Sequence, residues 1–242
     1  MKRLLLGWGV LLVGLTLAAA PWADAGDKKA AEATVEVPVG EKGWVQLFNR
    51  KDLTGWKTHP DDGPSKWRVE SGAVVSGGMK ASHLFTDRGD FENFHYRIEA
   101  KINDKGNSGQ YFRAKFAKSY PPGYEAQINS TSTDTTRTGS LYPSFKLPKD
   151  KEERAKILAQ IIVKKELVPP DTWFTQEVIA DGNHIIIKVN GKTTVDFVDE
   201  KNRFSKGHFA LQQHDAVRSG GKQYETILHV RKVEVKELPP TK

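Results

Sequence analysis

From Trp44 onward, apolar residues recur at every second position in short runs broken by Gly, Pro, Asn and Asp, and that period confines the chain to a β-rich fold. In Phe94–Ile102 the residues Phe94, Tyr96, Ile98, Ala100 and Ile102 alternate with His95, Arg97, Glu99 and Lys101, so one face meets a core and the other meets water. The runs His184–Val189 and Lys192–Phe197 flank Asn190-Gly191, two residues that both tolerate positive φ, and read as a hairpin. Further strands are expected at Trp44–Phe48, Lys66–Val69, Gly109–Phe116, Tyr124–Asn129, Thr172–Ala180, His208–His214 and Thr226–Lys236. Many strands of similar length with short connections predict an all-β sandwich or barrel, not a parallel α/β sheet. One segment breaks the pattern. Ile157, Leu158, Ile161 and Ile162 form a helical stripe among charged residues, Asp150 stands three before Glu153, and Pro169-Pro170 come after, which predicts one inserted surface helix at about 150–167.

The first residues read differently. Met1-Lys2-Arg3, the apolar run Leu4–Ala20 and the small-x-small sequence Ala23-Asp24-Ala25 predict a signal peptide over 1–25, cleaved after Ala25. The apolar run is short for a spanning helix and contains Gly7, Gly9 and Gly14, so no stable membrane insertion is expected after cleavage. Residues 26–41, rich in Ala, Lys and Glu, read as a flexible leader, 42–238 as one domain and 239–242 as a tail. The chain has no cysteine, which excludes disulfides, thiolate metal sites and a cysteine nucleophile. Export without cysteine points to a bacterial periplasm or exterior. The net charge of +7 comes from basic residues dispersed along the chain, such as Lys105, Lys149, Lys188 and Lys236, and not from a stripe interleaved with aromatics, so a nucleic-acid partner is not expected.

Alternation also sorts the polar residues. With Tyr124, Ala126 and Ile128 facing inward, Glu125, Gln127 and Asn129 share the opposite face. Phe209 and Leu211 facing inward leave His208, Gln212 and His214 in line, and Phe112, Ala114 and Phe116 oppose Tyr111, Arg113 and Lys115. If these strands are neighbours they make a polar sheet face of carboxylate, amide, imidazole and guanidinium, the groups that bind sugar hydroxyls, while Trp44, Trp56, Trp67 and Trp173 are candidates for a stacking platform.

The residues carry a likeness. Gly43-Trp44-Val45-Gln46-Leu47-Phe48-Asn49 with Lys51-Asp52-Leu53-Thr54-Gly55-Trp56 resembles the opening of the 3-keto-disaccharide hydrolase family. Further pieces come in the family's order, among them Asn107-Ser108-Gly109-Gln110-Tyr111-Phe112-Arg113, Tyr124-Glu125-Ala126-Gln127-Ile128, Thr138-Gly139-Ser140-Leu141-Tyr142, Trp173 and Leu211-Gln212-Gln213-His214, so that the likeness spans Gly43 to Leu238. The resemblance implies a concanavalin A-like jelly roll of two antiparallel sheets, with a concave carbohydrate-facing side, acting on oxidised glycosides. Arg50 replaces a usual glycine, and the helix near 150–167 and the loop Asp215–Tyr224 are additions that could line or cap the cleft.

A ketone at C3 acidifies the hydrogen on C2, so proton abstraction and elimination can break the glycosidic bond without paired carboxylates. The expected catalytic residues are His214 and Glu125, as base and acid in either order, with Arg113 holding the enolate oxygen. Gln127, Gln212, Tyr142, Asn107 and Trp173 are expected to bind substrate. No cofactor is required by this chemistry, although a His/Glu/Gln cluster could hold a divalent metal that polarises the ketone, and the two versions stand open at this point. A lectin-like binding module is the main alternative. A two-carboxylate glycosidase fits less well, because Glu125 has Gln127, not Asp or Glu, as its neighbour on the same face.

Overall fold

A computed structural model describes residues 43–60, 67–117 and 120–239; the expected signal peptide and leader lie outside the described residues. The strands are β1 (Val45–Gln46), β2 (Trp56–His59), β3 (Arg68–Glu70), β4 (Ala73–Val75), β5 (Ser82–Thr86), β6 (Phe94–Ile102), β7 (Ser108–Ala114) and β8 (Tyr124–Ile128). After the helix α1 (Lys151–Ile161) come β9 (Phe174–Asp181), β10 (His184–Val189), β11 (Lys192–Val198), β12 (His208–Gln213), β13 (Val217–Ser219), β14 (Lys222–Tyr224) and β15 (Leu228–Glu237). They form the expected sandwich of two antiparallel sheets. An eight-stranded sheet runs β11-β10-β9-β6-β15-β4-β3 with β1 also on β15, and a five-stranded sheet runs β2-β5-β12-β7-β8. β13 and β14 add a small ribbon after β12.

The core lies between the sheets. Phe209 of the small sheet stacks on Tyr96 of the large one at 3.9 Å and on Phe91 at 4.1 Å, and Phe94, Leu84, Phe112, Leu211 and Val233 close around them, all fully or almost fully buried. The alternation in β6 is realised residue by residue, with the five apolar positions buried and the four polar ones half-buried on the outside. Asn190-Gly191 makes the β10–β11 turn, both residues at positive φ.

Beyond the unexpected short strands β2 and β4 and the β13–β14 ribbon within the expected loop Asp215–Tyr224, three features depart from the sequence reading. α1 is shorter than 150–167: Asp150 caps it through Glu153 N–H, but Ile162 is already extended, and Ile161 and Val163 instead bond to Leu141, Ser140 and Arg137. Ile161 is buried and Ile157, Leu158 and Ile162 pack on the core. Second, β5 was not legible, because all five of its residues are buried and no alternation remains.

The third departure decides the site. Between β12 and β7, His208 pairs with Ala114 but Ala210 pairs with Tyr111, so β7 carries one extra residue there. The bulge includes Arg113 at φ 50, a left-handed conformation, while Gly207 opposite has no room for a side chain, a Cβ there falling 2.4 Å from the Arg113 carbonyl carbon. The extra residue reverses the parity of everything after Phe112. Tyr111, Ala114 and Ala210 then share one apolar patch with Phe85, on the face turned away from the core, whereas simple alternation puts Ala114 opposite Tyr111.

Candidate active site

The outer face of the small sheet carries two cross-strand rows. Glu125 of β8 lies opposite Tyr111 of β7, which lies opposite Ala210 of β12 and then Phe85 of β5. One step along, Gln127 lies opposite Gly109, while on the other side of the sheet Gln212 lies opposite His83 and His83 opposite His59. Side chains on opposed positions of one face are close enough to touch, so register alone assembles the cluster.

A cavity of about 440 Å³ sits on this face, lined by Glu125, Gln127, Tyr111, Gln212, Asn107, His214, Tyr120, Tyr142 and Ser144. The Tyr111 hydroxyl donates to Glu125 Oε2 at 2.7 Å and accepts from Gln212 Nε2 at 3.1 Å. With its amide nitrogen turned toward the carboxyl group, Gln127 donates to Glu125 Oε1 at 3.2 Å and to the Ser108 carbonyl at 2.7 Å. Burial outweighs these bonds and pushes the Glu125 pKa up to about 8, so the group is largely protonated at neutral pH. Gly109 makes the arrangement possible: a Cβ there would fall 2.3 Å from Glu125 Oε1.

His214 comes directly after β12, at the other wall. Its Nδ1 lies 2.9 Å from the Asp215 carbonyl, which can only accept, so Nδ1 carries the hydrogen and Nε2 presents a lone pair. The Tyr120 hydroxyl donates to that Nε2 at 3.1 Å, with Asp215 Oδ2 a more distant acceptor at 3.5 Å. Tyr120 and Tyr142 are both raised to about 12 by partial burial, the first also by Asp215 and the second by Asp134, so both hydroxyls are donors across the ordinary pH range. Tyr142 is held against β8 by its own N–H to the Glu125 carbonyl at 2.8 Å. Gln212 is 1% exposed, and its Oε1 is buried without a hydrogen-bond partner.

Two expected residues are elsewhere. Arg113 is buried in the protein, its guanidinium donating to the carbonyls of Glu92, Gly182 and Phe204, and it does not line the cavity; the bulge turned it off the Tyr111 face. Trp173 lies under Lys101 and Arg231 of the large sheet, in cation–π contact at 5.4 and 4.4 Å. Asn129 does not extend the Glu125–Gln127 row either; its side chain braces the loop after β8 through Asp134, Thr136 and Ser132. The other three candidate tryptophans are likewise not on the platform: Trp56 Nε1 donates to Leu47 and Trp67 Nε1 to Ser82, while Trp44 packs under Arg97.

Sequence reasoning missed Tyr120, Tyr111 and His83 as site residues. Tyr111 was on the right face but masked by its expected companion Arg113; Tyr120 lies in a loop without period. His83 is buried beneath Tyr111 in an edge-on contact at 5.2 Å, and desolvation lowers it to about 3, so it is neutral. Among the described residues no group of three or more His, Cys, Asp or Glu is arranged to hold a metal ion.

An antiparallel sandwich with a polar, aromatic-edged cavity on one sheet is suited to a small polar ligand. Residues 43–236 match the family described as the 3-keto-alpha-glucoside-1,2-lyase-like domain, and the chain belongs to that family. It is 25% identical over 226 residues to a 3-keto-disaccharide hydrolase of Bacteroides thetaiotaomicron, the alignment covering 83% of this chain and 77% of the relative. Among solved structures it is similar to a candidate glycosyl hydrolase from Parabacteroides distasonis, with TM-score 0.61 at 20% identity over 81% of this chain and 95% of that one. The carbohydrate binding module CBM66 from Bacillus subtilis is also similar, with TM-score 0.51 at 14% identity over 76% and 96% of the two chains. At these identities the solved structures establish the sandwich fold only.

Proposed function

We propose that this protein is an exported enzyme that breaks the glycosidic bond of 3-keto-glycosides by elimination. The observation that carries the reading is the pairing, in one cavity, of a buried carboxyl group raised to about 8 with an imidazole whose Nε2 accepts from Tyr120, another residue of the cavity lining. Family membership and the curated relative support a glycoside-cleaving role. The basic, apolar and small-residue order of Met1–Ala25 supports export to the periplasm or beyond.

In this mechanism His214 Nε2 takes the hydrogen from C2 and the electron pair forms an enolate on the C3 oxygen. Tyr142 and Tyr120, not Arg113, donate to that oxygen, Tyr120 by turning its hydroxyl hydrogen away from His214 Nε2, which frees that lone pair for the C2 hydrogen. The enolate then collapses: the C3 carbonyl re-forms, C1 and C2 become doubly bonded, and the bond from C1 to the leaving oxygen breaks while Glu125 gives that oxygen its proton. Water adding at C1 returns a proton to Glu125, and His214 returns one to C2, completing a net hydrolysis. Gln127, Gln212 and Asn107 orient hydroxyls. The protonation of Glu125 supports the acid's role for it and the base's for His214.

The test is incubation with 4-nitrophenyl 3-keto-α-glucoside. Release of nitrophenol from the 3-keto compound and not from its unoxidised parent is expected. Binding without release would make the protein a lectin-like module, and cleavage of the parent would point to an ordinary glycosidase.

A further inference from the structure

The end of β7 and the loop before β12 enclose a second cavity of about 370 Å³, lined by Ala114, Lys115, Phe116, Ser205, Lys206 and His208 among others. It is separate from the Glu125 cavity. Tyr111 lines the one and Ala114 the other, but the patch that these two form with Phe85 and Ala210 is 0–1% exposed, so no open surface joins them. The concavity depends on two glycines of its wall. A Cβ on Gly207 would fall 2.4 Å from the Arg113 carbonyl carbon, and one on Gly89 would fall 2.2 Å from His208 Nε2, where the imidazole now lies.

The charge of this cavity is one-sided. Its lining holds Lys115, Lys206, Arg203 and His208 and no carboxylate. The acids nearby are already engaged: Asp199 accepts from Arg203, from Tyr124 and from the backbone of Lys201, and Asp90, which also feels Lys206, is bonded to Arg88. Arg203 and Asp199 cancel, so the net charge comes from Lys115 and Lys206, both exposed and, among the described residues, neither in an ion pair. Like charges brought from distant parts of the chain to the rim of one recess focus a positive field into it. Beside them stands an aromatic wall. Phe116, 44% exposed, has its ring 4.5 Å from Phe85 and 4.6 Å from His208, whose Nδ1 is held against the Thr86 carbonyl at 2.7 Å. Phe204 continues the wall, packed edge-on against Tyr124 at 5.0 Å.

We propose that this cavity is a second ligand site, for an aromatic carboxylate whose ring lies on Phe116 and whose carboxylate group sits between Lys115 and Lys206. An inorganic anion would leave the aromatic wall uncovered, and a neutral ring would leave the two ammonium groups without a partner, so the lining as a whole selects a ligand with both parts. The occupant is a separate molecule from whatever fills the Glu125 cavity, because buried residues stand between the two.

Backbone NMR titration with benzoate, and with benzyl alcohol as its neutral counterpart, tests the site. Saturable shifts are expected for benzoate at Ala114–Phe116 and Phe204–His208, with none for benzyl alcohol at the same concentrations. Lys115→Gln combined with Lys206→Gln should weaken benzoate binding about 10-fold, the loss of two exposed charge contacts. Phe116→Ala should weaken it about 5-fold through the lost ring contact. Lys115→Arg combined with Lys206→Arg, which keeps the charge, should bind as wild type. No response to benzoate, shifts confined to the Glu125 cavity, an equal response to benzyl alcohol, or unchanged binding in the glutamine double variant would each overturn the proposal. The readout is binding and not turnover, so the result stands whether or not the protein cleaves 3-keto-glycosides. Lys115, Phe116 and Lys206 are all exposed, so the variants retain the fold, and unchanged spectra away from the cavity verify it.

Discussion

Tyr111 stands directly opposite Glu125 across β7 and β8 and gives it a hydrogen bond of 2.7 Å, so the carboxyl group is fixed in place by the same register that builds the sheet. The pair is buried, and desolvation keeps the Glu125 proton on to about pH 8. The strand pairing thus sets the position of the carboxyl group, while burial, working against the Tyr111 bond, sets its protonation state.

Glu125→Gln keeps the shape and the bond from Tyr111 but has no transferable proton. A fall in kcat of about 10²–10⁴-fold is expected on a 3-keto-glycoside with a poor leaving group. The wild-type rate should decline as pH rises through about 8, when the acid is lost, and the residual rate of the variant should lack that limb. A pH–rate series on the two proteins checks both.

The same shift has a consequence for stability. The folded-state pKa lies above the unfolded value near 4.5, so the folded state holds more protons between those two values and stability falls as pH rises from about 4.5 to 8. Relative to Glu125→Gln, wild type should lose on the order of a few kcal/mol across that window and then level off. Denaturant melts at pH 5, 6.5 and 8 give the difference, and a constant gap between the proteins would contradict the burial argument.

Gly109→Ala places a methyl group where Glu125 now lies, 2.3 Å from Oε1 and 2.6 Å from Cγ. The carboxyl group must move or the strands must part. A loss of about 1–3 kcal/mol of stability is expected, together with a fall in kcat of about 100-fold from misplacing the acid. Thermal melts and initial rates on the same preparation measure the two.

Arg113→Met removes the donor that satisfies three carbonyls and should leave the chemistry intact. Destabilisation of about 3 kcal/mol is expected, a drop in Tm of roughly 6–12 °C for a domain of this size. At a temperature where the variant is still folded, kcat should lie within about twofold of wild type. A large loss of kcat with an unchanged Tm would return Arg113 to the catalytic machinery.

Trp173→Ala, by contrast, should change neither KM nor kcat by more than about twofold, because the indole packs with Lys101 and Arg231 on the large sheet. Removing an aromatic–cation contact at a partly exposed site should cost about 0.5–1 kcal/mol, measurable in denaturant.

Local pattern determined a good deal. The period of two placed β6, β9, β12 and β15 within a few residues, Asn190-Gly191 fixed the hairpin, and the alternation in Tyr124–Ile128 put Glu125 and Gln127 on one face, where they are. These are properties of neighbours in the chain, governed by pleat geometry and turn sterics, and the sequence carries them directly. What the tertiary structure decided was the bulge. A single extra residue in β7, with Arg113 in a conformation that an arginine seldom adopts, reversed inside and outside for Ala114 and Phe116 and buried the guanidinium among carbonyls. Nothing local announces it, because the cause is the close approach of Gly207, nearly a hundred residues away in the chain. The protonation of Glu125 has the same origin: a carboxyl group's titration is set by how much of the molecule folds over it, and that is a property of the whole sandwich.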